Sequence, residues 1–288
     1  MKKLLLLYNP VAGRSVSLQK MGDMVHCYNR KGYAVTAIPI RQYDAFCGEN
    51  GKTAADFDHV VVTGGDGSVH EALNHGVMDF GYIPCGSAND IGHSLGISLN
   101  PEESMISAVE GRPVRMDIGS FNGTIFAYVA AFGLFTEVTY QTPQKMKKDL
   151  GYLAYLLQGV KSLADIKSYP MHITDGSGKT YDGEYMVGLI ANSYSIGGFK
   201  NPMSQDVALD DGLFEGVFIK KPADILEFNE LLDELINNRV GGNSLDYIKS
   251  DQMMIECRQP VAWTLDGDYG GTDTKMEIKC LKQALTIR

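Results

Sequence analysis

An aspartate set among glycines follows a short apolar segment and could take part in phosphate chemistry. Residues 60–63 are typical of a buried strand, and Gly64-Gly65-Asp66-Gly67-Ser68 comes directly after them, ahead of a helical pattern. Because glycine has no Cβ, main-chain N–H groups at the start of that helix can approach an anion closely. The Asp66 carboxylate would repel phosphate unless Mg²⁺ lay between them. This loop therefore predicts a site for a metal-bound nucleotide.

A second polar loop follows the next strand-like segment. Residues 82–83 lead into Pro84-Cys85-Gly86-Ser87-Ala88-Asn89-Asp90, which supplies a hydroxyl, an amide and a carboxylate. In an open parallel sheet the loops at successive strand ends face one crevice, so we expect the two loops to form one site. Gly-Gly-Asp-Gly alone also describes an ordinary surface turn. The two loops in this order are far more specific than either one.

Together these loops resemble the diacylglycerol-kinase catalytic-domain family of lipid kinases. Its hallmarks are Gly-Gly-Asp-Gly-Thr and Pro-x-Gly-Thr-x-Asn-Asp, and this chain carries Ser68 and Ser87 at the two Thr positions. A family segment Asn-Pro-x-x-Gly corresponds to residues 9–13, where a plain strand-ending turn is the alternative interpretation. The resemblance implies ATP as cofactor. The nucleotide contacts that it implies are Asn9, Pro10, Gly13, Gly64, Gly65, Asp66, Gly67, Ser68, Gly86, Ser87, Asn89 and Asp90.

Metal ligands also follow from the resemblance. Arg115-Met116-Asp117-Ile118-Gly119 matches the family's Arg-x-Asp-x-Gly strand, which implies that Asp66, Asp90 and Asp117 hold a catalytic Mg²⁺ through water. The segment 208–213 resembles a second, structural Mg²⁺ site. Its implied ligands are the Asp211 carboxylate and the carbonyl groups of Ala208 and Leu213, hard oxygen donors that suit Mg²⁺. A capped turn between strands is the alternative there.

The acidic turn Asp266-Gly267-Asp268 follows a strand-like segment at 262–265. The family ends its catalytic set with Asp-Gly-Glu, in which Glu is the general base. The resemblance therefore implies catalytic roles for Asp268 and Asp66, with Asp266 as the alternative base. Asp268 is one methylene shorter than Glu, and a base must lie within about 2.6–3.2 Å of the proton-bearing atom or act through water. An ordinary Asp-Gly turn is the competing interpretation.

Composition limits the class of protein. A net charge of −9 and a pI near 5.2 argue against a nucleic-acid partner, which would require clustered Lys and Arg. The five cysteines lack disulfide or zinc spacing, which favours the reducing cytoplasm. The apolar run after Met1 is too short for a secretory signal, and no stretch approaches the roughly 20 apolar residues of a membrane span. We expect a cytoplasmic protein that contacts the membrane only peripherally and transiently.

The pattern of elements predicts two domains. Residues 1–118 alternate strands and helices, which indicates an open, doubly wound, mostly parallel α/β sheet, to which residues 283–288 could return. Its expected strands are 4–8, 34–40, 60–63 and 82–83. Four expected helices begin near residues 15, 44, 68 and 91, and a fifth spans 101–110. Residues 119–282 read as an antiparallel, β-rich, sandwich-like domain.

Turn signals and apolar runs divide the second domain. Asn122-Gly123 predicts a hairpin between strands 114–118 and 125–132. Further expected strands are 171–174, 181–185, 187–192, 213–219, 253–257, 262–265 and 276–281; expected helices are 150–164 and 223–238.

The sequence favours an ATP- and Mg²⁺-dependent lipid kinase. Diacylglycerol is the default acceptor, and a sphingoid base or phosphatidylglycerol is an alternative. Two other functions stay open: an NAD-kinase-like enzyme, which would share Gly-Gly-Asp-Gly, and a noncatalytic nucleotide- or lipid-binding protein, because Asp268 replaces Glu. A homodimer is an option that the sequence does not test.

Overall fold

The computed structural model describes residues 1–10, 18–133, 166–196, 199–200, 207–236 and 242–288. The chain divides into two compact units, Met1–Met116 with Gln283–Arg288, and Asp117–Lys282. The fold is mixed α/β and rich in strands. In the described ranges, no helix is both long and apolar enough to cross a membrane. The helix expected at residues 150–164 lies outside them.

The first unit is built on a parallel sheet. Its elements are β1 (Lys2–Tyr8), α1 (Leu18–Arg30), β2 (Tyr33–Pro39), α2 (Tyr43–Asn50), β3 (His59–Gly64), α3 (Asp66–Asn74), β4 (Asp79–Pro84), α4 (Asp90–Ser94) and α5 (Pro101–Glu110). The strands lie side by side in the order β2, β1, β3, β4, and all of these pairs are parallel. Near the chain end, Thr286 and Ile287 add a parallel strand beside β4.

Strand β1 is apolar from Leu4 to Leu7, where both of its faces are covered. Leu4–Leu7 are fully buried. Leu4 and Leu6 share one cluster with Met24 and Tyr28 of α1 and with Ala108 of α5. A parallel strand buried on both faces reads as a continuous hydrophobic run rather than an alternating one, which is the pattern seen here.

Capping residues set two helix ends in this unit. The Asn100 side chain accepts the N–H groups of Glu102 and Glu103, and α5 spans the residues that the sequence predicted. The helix expected to begin near residue 44 ends at Asn50. Gly51 follows with φ of 60°, a left-handed conformation that stops the helix, and only a 3₁₀ turn comes afterwards.

The second unit is antiparallel and β-rich. Its elements are β5 (Val114–Phe121, starting just before the unit boundary), β6 (Thr124–Phe126), β7 (Val129–Gly133), β8 (Tyr169–Asp175), β9 (Thr180–Ala191), β10 (Ser195–Ile196), β11 (Phe199–Lys200), β12 (Phe214–Lys220), α6 (Ile225–Ile236), β13 (Leu245–Ser250), β14 (Gln252–Leu265) and β15 (Asp268–Ile287, which ends in the first unit). The sheet order is β13, β12, β9, β7, β14, β15, and β8 pairs with both β9 and β14.

Aromatic side chains fill the core of this unit. Trp263 is fully buried, and its ring centroid lies 5.1 Å from that of Phe121 and 4.8 Å from that of Phe132. Helix α6 packs Phe228 and Leu231 into a second cluster. Because Trp263 is the single tryptophan of the chain, its fluorescence reports the packing of the second unit.

The structure corrects several strand predictions. The hairpin at Asn122-Gly123 is confirmed, with φ of 47° and 91° at the two residues. The strand expected over 125–132 is wrong, because β6 ends at Phe126 and β7 begins at Val129. The two strands expected at 181–185 and 187–192 form a single strand, β9. The two expected at 253–257 and 262–265 form a single strand, β14. Strand β13 was not predicted.

We expect Gly81→Ala to destabilise the first unit, because α5 packs directly on β4 at this position. A Cβ on Gly81 would lie 1.9 Å from the Ala108 carbonyl oxygen, and relieving that overlap should cost about 1–3 kcal/mol. Gly22→Ala is the matched control, because it lies exposed inside α1 with open space at the Cβ position and should gain about 0.5–1 kcal/mol. Urea unfolding followed by circular dichroism measures both. Equal stability of the two variants would contradict the close packing.

Candidate functional site

Three loops of the first unit follow the carboxyl ends of β1, β3 and β4. Because these strands are parallel, their ends lie at one edge of the sheet. Backbone hydrogen bonds join them there: the Asn9 N–H donates to the Thr63 carbonyl over 3.4 Å, and the Cys85 N–H donates to the Gly64 carbonyl over 2.7 Å. Pro10 is exposed beside them, and Gly13 lies outside the described residues.

Glycines at this edge let two loop backbones touch. A Cβ on Gly86 would lie 2.5 Å from Gly65 Cα, and a Cβ on Gly65 would lie 3.0 Å from Gly86 Cα. Gly64 has φ of 157°, and a Cβ there would lie 2.0 Å from Ser68 Oγ. A larger side chain at any of these positions would push the loops apart. The loops therefore form a cradle lined by main chain.

Asp66 and Asp90 begin the helices that follow two of the loops. Asp66 is the first residue of α3, and its Oδ1 accepts the Ile91 N–H over 3.2 Å. Asp90 is the first residue of α4 and is fully buried. The N-terminal end of a helix favours nearby negative charge, which helps to hold both carboxylates in place. The hydrogen bond to Ile91 ties the two acidic loops together.

Asn89 closes the turn of the second loop. Its φ is 53°, its Oδ1 accepts the Gly86 N–H over 2.8 Å, and its Nδ2 donates to the Gly86 carbonyl over 3.0 Å. Ser87, at the tip of the same turn, is exposed. The Asn89 side chain therefore shapes the loop, while Ser87 presents its hydroxyl to solvent.

Two buried hydroxyl groups lie behind the cradle. Ser68 is 1% exposed, and within the described part of the chain its Oγ has no hydrogen-bond partner. The Tyr82 hydroxyl donates to the Gly64 carbonyl over 3.1 Å. Burial, and after it the nearby Asp66 carboxylate, raises the pKa of Tyr82 well above its ordinary value, so the hydroxyl keeps its proton. Sequence reasoning missed Tyr82, because an apolar run gives no sign that one hydroxyl braces a loop.

These residues fit a nucleotide phosphate and a hard cation. The main-chain cradle lets an anion approach backbone N–H groups closely. The Ser68 hydroxyl, which has no hydrogen-bond partner among the described residues, can donate to a phosphate oxygen. Asp66 and Asp90 supply carboxylates of the kind that Mg²⁺ prefers. No three His, Cys, Asp or Glu side chains of the described residues gather into a metal-binding cluster. A cation here would therefore take much of its coordination from phosphate and water.

Asp117 is held by backbone groups of its own unit. It is fully buried, and its Oδ2 accepts the Gly212 N–H over 2.5 Å. Its N–H donates to the Leu209 carbonyl over 2.7 Å. The buried Asn192 side chain, which sequence reasoning missed, donates through Nδ2 to the carbonyls of both Asp117 and Leu209. The segment 209–212 therefore fixes the orientation of Asp117.

A lysine side chain already contacts the turn that was predicted to bind a structural Mg²⁺. Asp211 Oδ1 accepts the Leu213 N–H over 2.9 Å, and Asp211 Oδ2 lies 2.9 Å from Lys249 Nζ. Lys249 Nζ also lies 2.9 Å from Oε1 of the buried Glu215. Burial acts to lower the pKa of Lys249, but hydrogen bonds to the two carboxylates outweigh it and raise that pKa. The Asp211 turn, which includes the half-buried Ala208, does not fit a second Mg²⁺ as it stands.

Asp266 is the first turn residue of the β14–β15 hairpin, and Asp268 is the first residue after the turn. The two side chains lie in different environments. Asp266 and Gly267 have φ of 52° and 93°, as expected for a two-residue turn of type I′. Asp266 is buried, and its carboxylate accepts the N–H groups of the three consecutive residues 127–129 at 2.7–3.2 Å. This contact explains why β6 and β7 are separate strands. Asp268 is exposed.

Comparison with known proteins gives one consistent group of relatives. The family model described as the diacylglycerol kinase catalytic domain matches residues 3–121. A diacylglycerol kinase of Bacillus subtilis (strain 168) is 31% identical over 284 residues, which cover 94% of this chain and 91% of that protein. The crystal structure of a diacylglycerol kinase from Bacillus anthracis str. Sterne has a TM-score of 0.70 at 20% identity, covering 99% and 96% of the two chains.

A more distant likeness is one of fold alone. The crystal structure of an NAD kinase from Archaeoglobus fulgidus in complex with ATP has a TM-score of 0.53 at 12% identity, covering 99% of this chain and 92% of that one.

We expect Asp266→Asn to destabilise the second unit by about 2–3 kcal/mol, because the new amide group would face a buried N–H donor that loses its acceptor. Asp268→Asn, two residues away and exposed, is the matched control and should stay within about 0.5 kcal/mol of the parent protein. Urea unfolding followed by Trp263 fluorescence measures both. If Asp266→Asn unfolds at the same urea concentration as the control, the three hydrogen bonds do not support this region.

Proposed function

This chain belongs to the diacylglycerol kinase family, and from that premise we propose that it is an ATP- and Mg²⁺-dependent lipid kinase. It would transfer the γ-phosphoryl group of ATP to a lipid hydroxyl. The observation that carries the proposal is the contact of the Gly65 and Gly86 backbones beside two helix-initial carboxylates. In this proposal the first unit is the open, doubly wound nucleotide-binding domain, and the second supplies the general base.

The phosphate groups of ATP would lie in the glycine cradle. Main-chain N–H groups of the first turn of α3 and the Ser68 hydroxyl are suited to donate to phosphate oxygens. Asp66, Asp90 and Asp117 would hold the hydrated cation through water. When bound, Mg²⁺ would offset the negative charge that develops on the phosphoryl group during transfer. The Ile91 N–H supports this arrangement, because its hydrogen bond holds one oxygen of Asp66 in place.

Asp268 is the proposed general base. It would accept the proton of the lipid hydroxyl as that oxygen forms its bond to the γ-phosphorus and ADP leaves. Asp266 is the weaker candidate, because its carboxylate already accepts three backbone N–H groups. Asp268 is exposed on a tight turn, so a shift of the backbone or a bridging water can compensate for its short side chain.

Diacylglycerol is the proposed acceptor, since the relatives at 27–31% identity bear that name. A sphingoid base or phosphatidylglycerol offers the same reacting hydroxyl. The protein would act in the cytoplasm and meet its acceptor at the membrane surface, as a monomer or a homodimer.

A transfer assay tests the proposal. The purified protein is incubated with γ-labelled ATP, Mg²⁺ and mixed micelles that contain diacylglycerol, a sphingoid base or phosphatidylglycerol, and in a separate reaction with NAD. Label in a lipid supports the proposal and identifies the acceptor. Label in NAD would show an NAD-kinase-like enzyme. ATP binding without transfer to any acceptor would show a noncatalytic binding protein.

We expect Asp66→Asn to lower the transfer rate by about 10²–10³-fold with little change in stability, because it removes the charge that the cation requires. The amide oxygen of Asn can still accept the Ile91 N–H, so the loop should keep its shape. Phosphate transfer and thermal unfolding are measured on the same preparation. A fully active variant would refute the metal role of Asp66.

For Asp268 we expect opposite effects from two substitutions. Asp268→Ala should reduce the transfer rate by about 10²–10⁴-fold through loss of the base, whereas Asp268→Glu should give equal or greater activity because its arm is longer. The exposed Asp273, on the same strand, offers Asp273→Asn as a control with unchanged rate. Loss of activity in Asp268→Glu would show that the short arm is adapted to its own geometry.

A further inference from the structure

A buried acidic pair lies where β12 follows the Asp211 turn. Glu215 is 2% exposed, and Asp211 is half-buried four residues before it. Burying the charge of a carboxylate is costly unless a cation pairs with it.

The sheet supplies that cation from the neighbouring strand. Lys249 on β13 stands directly opposite Glu215 on β12, so its side chain rises from the same face of the sheet. Its Nζ lies 2.9 Å from Asp211 Oδ2 and 2.9 Å from Glu215 Oε1. The lysine side chain is 30% exposed. One ammonium group therefore bridges both acids.

The oxygens of Asp211 are committed to protein groups. Its Oδ1 accepts the Leu213 N–H, and its Oδ2 contacts Lys249 Nζ. The Asp211 carbonyl accepts Lys282 Nζ over 3.1 Å. A divalent cation here would have to displace these partners, and it would face two positive charges within a few ångströms.

We propose that Lys249 is the fixed cation of the Asp211 turn, in the place where the family resemblance suggests a second Mg²⁺. The inference does not rest on the proposed kinase activity, because it concerns how the second unit is held together. It goes beyond that activity because it places Mg²⁺ at the phosphate loops and a lysine, instead of Mg²⁺, at the Asp211 turn. The chain would keep this turn folded without any divalent ion.

Lys249 is also a positioning residue for Asp117. The turn that it clamps donates the Gly212 N–H to Asp117 Oδ2 and accepts the Asp117 N–H at the Leu209 carbonyl. A loosened Asp211 turn would therefore loosen the one buried carboxylate that the second unit contributes to the proposed metal network.

Thermal unfolding of nucleotide-free protein tests the proposal, with Trp263 fluorescence measured in EDTA, in Mg²⁺ and in Ca²⁺. Lys249→Met should lower the unfolding temperature by roughly 5–10 °C in EDTA, and millimolar divalent cation should restore at least half of the loss by binding the freed carboxylates. Lys249→Arg should keep the unfolding temperature within a few degrees of the parent protein. A residue that acts only through packing would show no rescue by cations.

Lys220→Met is the matched control. Lys220 on β12 pairs with Asp246 on β13 over 3.0 Å, with exposure similar to that of Lys249. Asp246 also accepts the Tyr185 hydroxyl, so no buried acid is left without a partner when Lys220 is removed. This variant should therefore show only a small loss of stability and no response to divalent cations.

Binding of Mn²⁺ to the parent protein decides the question even if Lys249→Met does not fold. Electron paramagnetic resonance counts the bound Mn²⁺ ions in the parent and in Asp211→Asn, which keeps the acceptor for Leu213. Equal counts support the proposal. One Mn²⁺ fewer in Asp211→Asn, or Mg²⁺ stabilisation of the parent that Asp211→Asn abolishes, would overturn it. Neither readout uses phosphate transfer, so an inactive protein would disprove the proposed function without affecting this test.

Discussion

The contact between the Gly65 and Gly86 backbones is the constraint on which the first unit's site depends. Two loops can meet at van der Waals distance only if neither carries a Cβ at the point of contact. That closeness lets the Asp66 carboxylate reach the Ile91 N–H and sets two helix starts side by side. The parallel sheet makes the meeting possible, because it sends consecutive strand ends to one edge. Neither loop alone would make a site, since each would be an ordinary turn.

In the second unit, the environment of each carboxylate decides its role, and the residue type does not. Asp266 and Asp268 are two residues apart on one hairpin, yet the first is buried against three backbone N–H groups and the second is exposed. A buried carboxylate that accepts several N–H groups acts as a structural joint, and removing it leaves donors without partners. An exposed one is free to exchange protons with a substrate. Asp117 belongs with the first kind by its hydrogen bonds, and in the proposed function it would also help to hold the metal.

Sequence reasoning identified what local patterns encode. The family is confirmed by the relatives, α5 by its Asn100 cap, and the first hairpin by Asn122-Gly123. What it missed depends on distant partners. The break between β6 and β7 is caused by Asp266, which is about 140 residues away along the chain. Lys249, on β13, and Asn192, just after β9, look like any lysine or asparagine until the fold places them beside an acid or a carbonyl. The role of Lys249 is set by cross-strand register, which no single sequence displays.

A tethered ammonium and a divalent ion hold a turn in physically different ways. A lysine on a neighbouring strand is present whenever the sheet is formed, so the turn is organised as soon as β12 and β13 pair. A metal site is organised only at a sufficient metal concentration, and its stability then varies with Mg²⁺ and with any competing chelator, including nucleotides. An enzyme whose substrate is a metal nucleotide gains from separating the two demands. If Lys249 holds the turn and the protein is the proposed kinase, changes in free Mg²⁺ would act on catalysis at the phosphate loops without loosening Asp117. The second unit would then stay folded when ATP sequesters the metal.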